Sequence, residues 1–364
     1  MKVAFTFISM PVGGAEDFAV AVSRHLPDPW EPVFVCLRDL GAMGEELKAD
    51  GAAVHLVRAA PGKQWNVPGI FRLASWLRKE DVRVVHSQTY NAHTYAIPAA
   101  RLAGAAAILH QQKTLEGMRR HRMMMMRRMT RLAHRTIALS EKTRAEMAST
   151  FRLPDARTAV IPNVVDPEEF HPAGDRATLR RELGLDPEKF LIGSVGSLNE
   201  VKNHPATLRM LARLRKDGHS GNAILLGEGK ERANLEALRC ELGLDDCLDL
   251  PGNRRPVAPW LQALDLVVHP SHWEGQPLAL LQAAACKLPI VASRIEGNSA
   301  ALGDNYPGLF EADDEDAYHA LVERCLKDED FRRSLADSLA PGLLPLAPKV
   351  ALDLTRIYDE LVSR

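Results

Sequence analysis

The sequence predicts an α/β protein built as two Rossmann-like domains facing each other across a cleft. Three observations lead there. Short β-branched runs alternate with helical stretches, as in βα units around a parallel sheet. A Pro-rich break interrupts the alternation near mid-chain, after which it restarts. A length of 364 residues suits two domains, each large enough to bury a core.

In the first half, residues 3–8 read as a strand, followed by a Gly13-Gly14 turn and an apolar-periodic stretch over 18–26. Further strands are expected at 32–37, 53–57, 83–86, 106–110 and 136–139. The stretch Ile161-Pro162-Asn163-Val164-Val165-Asp166-Pro167, running on to His171-Pro172, places helix breakers close together after an apolar strand and reads as a linker. Strands resume at 191–195, 223–226, 248–250, 266–268 and 290–292, and 350–362 reads as an amphipathic helix after Pro345 and Pro348. The expected domains are 1–165 and 173–346, with a terminal helix over 347–364 returning to the first. Open parallel sheets bind ligands outside the carboxyl ends of their strands, so the cleft is the expected site.

Hydrophobic residues at 46% and charged residues at 26% are ordinary for a soluble globular protein. No stretch approaches the roughly 18 uncharged apolar residues of a membrane span. The N-terminus reads as a first strand, not a signal peptide. Five cysteines, odd in number and without a CxxC, fit the reduced thiols of a cytoplasmic protein. The net charge of -1 is split: residues 1–172 carry 23 basic and 17 acidic side chains, the remainder 23 and 30. The halves are therefore expected to meet different partners. Nucleic acid is not among them, since no zinc-finger spacing or basic run interleaved with aromatics is present. No metal site is expected, because no Asp-x-Asp follows a strand; Asp245-Asp246 and Asp313-Asp314 read as surface loops.

The second half carries ordered signals. Ser194-Val195-Gly196-Ser197-Leu198-Asn199-Glu200-Val201-Lys202-Asn203 ends one strand and opens a helix; Gly227-Glu228-Gly229 ends the next. Ser271-His272-Trp273-Glu274-Gly275-Gln276-Pro277-Leu278 follows a third and leads into a helix. A nucleoside diphosphate needs backbone N–H donors at a helix N-terminus. Gly275 permits close backbone approach, Pro277 suits a first helical turn, and Gly275, Gln276, Pro277 and Leu278 together form a pyrophosphate cradle. Gln282, about two turns along the same helix, is near enough the same face to reach a ribose. The other reading of this stretch is an ordinary loop leading into a buried helix.

Taken in order, these motifs resemble the donor domain of retaining family 4 glycosyltransferases with the GT-B fold. Pro162-Asn163-Val164-Val165-Asp166 and Gly13-Gly14-Ala15-Glu16 resemble that family's linker and first glycine loop. The resemblance implies that Glu274 sits near the transferred sugar and that Lys202 meets the donor phosphates. Two positions depart from the pattern. Gln282 stands where the family has a ribose-binding Glu, and Ser197 where it has an Arg; either the pyrophosphate has lost one cation, or Arg254, Arg255 or Arg294 supplies it. Gly14 would lie under the donor phosphates, or be a βα turn that needs glycine. His110 would stand near the reacting sugar, with His86 as a weaker sugar or acceptor candidate; the alternative for both is a satisfied structural histidine.

The implied reaction moves a sugar from a UDP- or GDP-linked donor to a hydroxyl of a glycan or lipid-linked acceptor, in cell-envelope glycan or glycolipid synthesis. It proceeds with retention and without metal or other cofactor. Two alternatives stay open: a nucleotide-sugar epimerase on the same fold, and an inactive scaffold. Residues 118–135 hold seven arginines and no acid. Read as a helix, Met118, Met125, Met129 and Leu132 share one stripe, and Arg120, Arg127, Arg131 and Arg135 another. One reading is contact of Arg119, Arg120 and Arg122 with an anionic membrane surface, on the inner face of the membrane. The other is a packed helix with methionine in the core and arginine in water.

Overall fold

A computed structural model describes residues 1–60, 62, 66–111, 115, 118–339 and 344–363. The chain divides into two compact units, one of Met1–Val164 with Pro345–Arg364 and one of Val165–Leu344.

Among the described residues the first unit holds seven strands: β1 (Lys2–Phe7), β2 (Glu31–Cys36), β3 (Val54–Leu56), β4 (Val82–Ser87), β5 (Ala106–Gln111), β6 (Arg135–Ala138) and β7 (Thr158–Val160). They form one parallel sheet in the order β3-β2-β1-β4-β5-β6-β7. Side chains alternate between two apolar layers, as the period of a strand requires. Ala4, Val33 and Val35 join one layer with Leu73, Ala96, Met126 and Met147, from helices Val67–Lys79, Tyr90–Ala103, Arg120–Leu132 and Glu141–Phe151. Val3, Phe5 and Phe34 join the other with Phe18, Met43 and Tyr358, from helices Gly14–Ser23, Gly41–Ala49 and Ala347–Val362. The terminal helix is thus part of this unit, tied by the Trp30 indole donating to Asp359 at 2.9 Å.

Beneath that helix lies a closed histidine network. The Tyr358 hydroxyl meets His86 Nδ1 at 2.7 Å, His86 Nε2 meets His110 Nδ1 at 3.2 Å, and His110 also bonds the backbone of Ile161. Phe18 packs edge-on against the His110 ring at 4.9 Å. Both rings are fully buried. His110 and His86, the sugar or acceptor candidates, thus both have hydrogen-bond partners inside this unit.

The second unit has β8 (Leu191–Val195), β9 (Asn222–Leu226), β10 (Leu248–Gly252), β11 (Leu266–His269), β12 (Ile290–Arg294) and β13 (Leu309–Glu311), again parallel, in the order β10-β9-β8-β11-β12-β13. The stretch expected as a linker is not free chain, since Val165 and Phe170 are buried in this unit's core. A partly buried ion pair ties two of its strands together at their starts. Arg180 Nη2 donates to Asp265 at 2.5 Å and Arg180 Nε to the Ala263 carbonyl at 2.8 Å, while Asp265 also accepts from the Leu191 N–H at 2.8 Å. The turn before β11 is thereby bound to the start of β8. In each unit strand order reverses direction at one point, between β1 and β4 and between β8 and β11, and the carboxyl ends of those pairs are the expected ligand crevices.

Strands β7 and β13 were not expected from the sequence; three residues each are too few to show a period. The methionine stripe also shifts. Met126 is buried with Met129, Leu132 is exposed, and Arg135 opens β6, bonded to Glu360 and the Ala156 carbonyl. No described helix is long and apolar enough to cross a membrane.

Burial holds His86 neutral well below its usual range, and pushes His93 and His110 down to about 3 from 6.5. A depressed histidine pKa stabilises the fold above the unfolded value, and that stability is lost as pH falls below it, because only the unfolded chain then binds the proton. Between pH 7.5 and 5.5 each histidine kept neutral should cost about 1.4 kcal/mol of stability. Guanidinium midpoints measured across that window should fall steadily with pH; a flat profile would contradict the buried network.

Candidate active site

The site forms within the second unit, where β8 and β11 lie side by side with Leu266 opposite Ile192 and Val267 opposite Gly193. After β8 the chain turns at Gly196, whose φ of +155° favours glycine, and Asn199 caps a short 3₁₀ turn by accepting from the Lys202 N–H at 3.2 Å. Helix His204–Lys216 follows. After β9, Gly227 passes so close to the first turn that a Cβ there would lie 1.9 Å from the Gly196 carbonyl oxygen. The Leu198 N–H donates to the Glu228 carbonyl at 3.0 Å, and the Glu228 carboxylate pairs with Arg232 at 2.6 Å. Gly227-Glu228-Gly229 is therefore a tight turn supporting the Ser197 loop from beneath.

After β11, Pro270 leads into the loop that carries Glu274. One oxygen of that carboxylate, Oε1, accepts from Lys202 Nζ at 2.5 Å, His269 Nε2 at 2.9 Å and Ser271 Oγ at 3.0 Å. Glu274 and Lys202 keep only 12% and 16% of their side-chain surface exposed, so this is a partly desolvated pair. Burial alone would raise the Glu274 pKa; the His269 hydrogen bond and the Lys202 charge outweigh it and pull the group to about 2. His269 is itself fully buried, which lowers its pKa and keeps the ring a neutral donor, although the bond to Glu274 pulls the other way. Ser293 Oγ donates to the Ser271 carbonyl at 2.5 Å, and Asn298 Nδ2 donates to the Ser293 carbonyl at 2.9 Å, so β12 and helix Glu296–Leu302 buttress the loop. Gly297 packs against it so closely that a Cβ would lie 2.3 Å from the Glu274 carbonyl oxygen.

Pro277 caps helix Leu278–Ala285 without a side-chain hydrogen bond; it stands one position before the first helical turn expected for it. The backbone N–H groups of Leu278 and Ala279 find no acceptor among the described residues. Gly275 is exposed and Gln276 half-buried in the approach to this helix end. Gln282 is buried on the helix, and its amide makes no hydrogen bond to the described residues. The structure thus brings Lys202 and Glu274 into contact, beside the helix of Leu278 and Gln282.

Gly14 opens helix Gly14–Ser23 in the first unit. Arg294 donates to Glu311 at 2.8 Å and to the Asp304 carbonyl at 2.7 Å, and Arg254 stacks 5.6 Å over the Trp260 ring, so Ser197 has no evident cationic substitute in either. Instead Ser197 Oγ accepts from the Asn199 amide at 2.7 Å. Sequence reasoning missed His269, Ser271 and Trp273. The first two end a strand and begin a loop, the signal for which was a buried polar residue at a strand's carboxyl end. Trp273 is 48% exposed, and its neighbour His272 donates its N–H to the Val201 carbonyl at 2.8 Å.

Chemically this is an anion site, of one lysine and free helix N–H groups, next to a permanently ionised carboxylate that can only accept hydrogen bonds. The profile "Glycosyltransferase Family 4" matches residues 12–169, and "Glycosyl transferases group 1" matches 175–338. An Escherichia coli protein named UDP-Gal:alpha-D-GlcNAc-diphosphoundecaprenol alpha-1,3-galactosyltransferase is 27% identical over 277 residues, covering 72% of this chain and 71% of its own. The D-inositol 3-phosphate glycosyltransferase of Pseudarthrobacter chlorophenolicus is 33% identical over 215 residues, covering 56% of this chain; that match spans about half of the relative's length, 51%. The Anabaena protein HepE, crystallised with UDP and glucose, superimposes with a TM-score of 0.83 at 19% identity, over 99% of this chain and 100% of that one. With profiles over both units and the same fold throughout, the chain belongs to the group 1/family 4 glycosyltransferases of the GT-B fold.

Proposed function

We propose that this chain transfers a sugar from a UDP- or GDP-linked donor to an acceptor hydroxyl, with retention and without a metal ion. The observation that carries the reading is the Lys202–Glu274 contact at the β8/β11 switch point, beside unpartnered N–H groups at a helix N-terminus. A helix N-terminus and a lysine are complementary to a diphosphate. Gln282, a largely buried residue whose amide makes no hydrogen bond to the described residues, would meet the ribose as a neutral donor and acceptor.

The residues then divide the work. Lys202 and the N–H groups of Leu278 and Ala279 stabilise the negative charge that grows on the leaving diphosphate. The diphosphate takes the acceptor's proton as the acceptor oxygen bonds to the anomeric carbon from the face the leaving group departs. Glu274 orients the sugar by accepting from its hydroxyls. A carboxylate with a pKa of about 2 is a poor general base and carries no proton to donate at neutral pH. The same fact disfavours an epimerase, which needs an acid and a base facing the sugar. The acidic pairs are otherwise engaged: Asp245 with Arg239 at 3.0 Å, Asp246 with Arg215 at 2.5 Å, Asp313 with His272 at 3.1 Å, and Asp314 as a helix cap. For the acceptor we favour a glycan or lipid-linked sugar of the cell envelope, by likeness to the Escherichia coli relative's named substrate.

Calorimetry with UDP and GDP tests the donor site. Hydrogen bonds to charged groups contribute about 1.5–3 kcal/mol, so Lys202→Ala should weaken binding roughly 10–150-fold; unchanged affinity would remove Lys202 from the site. Transfer is expected to survive EDTA, with the first-formed product keeping the donor's anomeric configuration by NMR. Activity abolished by chelation and restored by Mg²⁺ or Mn²⁺ contradicts the metal-free reading. Charge-assisted bonds are roughly twice as strong as neutral ones, so Gln282→Glu should tighten nucleotide binding several-fold when paired with Ser197→Arg, whose cation offsets the added carboxylate. If neither variant nor the pair differs from wild type, positions 197 and 282 do not face the nucleotide.

A further inference from the structure

One face of the first unit differs from everything else in the chain. Helices Val67–Lys79, Tyr90–Ala103 and Arg120–Leu132 lie side by side on the same layer of the sheet. Arg78 reaches from the first to the Leu102 carbonyl of the second, and Arg122 lies 5.2 Å over the Tyr90 ring, tying the third to the second. These three helices contain no Asp or Glu. They carry Arg72, Arg78, Lys79, Arg101, Arg120, Arg122, Arg127, Arg128 and Arg131, with Arg119 at the N-cap of the last. The opposite layer is mixed: its helices hold Glu16, Asp17, Glu45, Glu46, Asp353, Asp359 and Glu360. The acid-free row stops at the next helix, where Glu141 is paired with Arg144.

On helix Arg120–Leu132, Arg119, Arg120, Arg127, Arg128 and Arg131 are exposed and have no ion-pair partner among the described residues. Arg127 and Arg131 are four apart and Arg128 and Arg131 three apart, spacings at which like charges repel on a helix surface. The sequence carries that cost in full, with no acid to relieve it. Between the charges stand large apolar side chains that no core claims: Met124 at 64% exposure and Phe71 at 60%, with Val67, Leu102 and Leu132 also exposed. Of the twelve exposed large hydrophobics in the described chain, these five fall on three adjacent helices. A soluble polyanion would need only the charge. A face mixing unpaired arginine with protruding Phe, Leu and Met matches a headgroup layer, where charge meets anionic lipid and apolar side chains enter the acyl boundary.

We propose that this three-helix face docks the protein on an anionic lipid surface. The proposal stands on the first unit alone and does not depend on the donor reading.

Sedimentation with vesicles tests it, using phosphatidylglycerol mixed with phosphatidylcholine against phosphatidylcholine alone. Wild type should sediment with the anionic vesicles at low salt and stay in solution with the neutral ones. Each basic residue near such a surface is worth about fivefold in partitioning, so reversing Arg120, Arg127 and Arg131 to Glu should weaken binding by roughly a hundredfold or more. The residues are exposed, and thermal melting will show that the variant folds. Phe71→Ser with Met124→Ser should lower vesicle binding while leaving retention on a heparin column unchanged. The proposal is overturned if wild type ignores anionic vesicles at low salt, or if the triple reversal binds them as wild type does. It is likewise overturned, in favour of a soluble polyanion, if the Phe71/Met124 variant keeps full vesicle binding.

Discussion

Glu274 is an ionised carboxylate held almost out of water, and its surroundings follow from that constraint. A buried charge left without partners costs several kcal/mol, and removing one member of such a pair typically costs about 3–5 kcal/mol. The fold answers with three donors on one oxygen, from three different places: Lys202 beyond β8, His269 at the end of β11, and Ser271 in the loop after it. The first two can converge only because β8 and β11 are neighbours in the sheet although β9 and β10 separate them in sequence. The Arg180–Asp265 pair, which binds the turn before β11 to the first residue of β8, fixes that neighbourhood from the other end of the strands.

Backbone approach does the remaining work. The Lys202 stem runs back over Gly196, where an added Cβ would lie 3.1 Å from its Cε, and Gly227 allows the second turn to press on the first. A side chain at either glycine would displace the loop that aims the lysine. Both also have φ in the region that disfavours other residues, +155° and +149°, so space and conformation act together. Helix Glu296–Leu302 presses from behind through Gly297. The loop bearing Glu274 is therefore held by packing, not by its own sequence, which contains no regular structure between β11 and helix Leu278–Ala285.

Much of this was legible beforehand because parallel strands buried on both faces leave continuous apolar runs, and the residues at their carboxyl ends stand out against them. The helix start after Pro277 was found in that way, whereas Lys202 and Glu274 were named by their resemblance to the family's motifs. What was not legible has identifiable physical causes. His110 and His86 also end or near-end apolar strands, and their burial depends on a helix more than two hundred residues later, whose Tyr358 bonds His86. Nothing local to position 86 announces a partner at 358. The methionine stripe was misplaced by one position because four consecutive methionines, 123–126, let the helix rotate without breaking its apolar pattern. His269 was missed because a histidine inside Val-Val-His-Pro reads as strand end until Glu274 is seen folded back onto it.

The departures at 197 and 282 acquire a common meaning once the local charges are placed. In the unliganded site the Lys202 cation is matched by the Glu274 anion, so the pair is close to neutral. An incoming diphosphate would meet little net attraction from it, and would have to draw on backbone N–H groups and the helix dipole, worth about 0.3–1 kcal/mol at an exposed terminus and up to about 2 when partly buried. A Glu at 282 would add a second anion to a site with a single lysine. Gln282 avoids that without changing the shape of the side chain, and Ser197, bonded to Asn199, leaves the loop uncharged. The two substitutions are therefore best understood as one adjustment: with the arginine absent, an uncharged residue at 282 keeps the local charge balance that a charged one would upset.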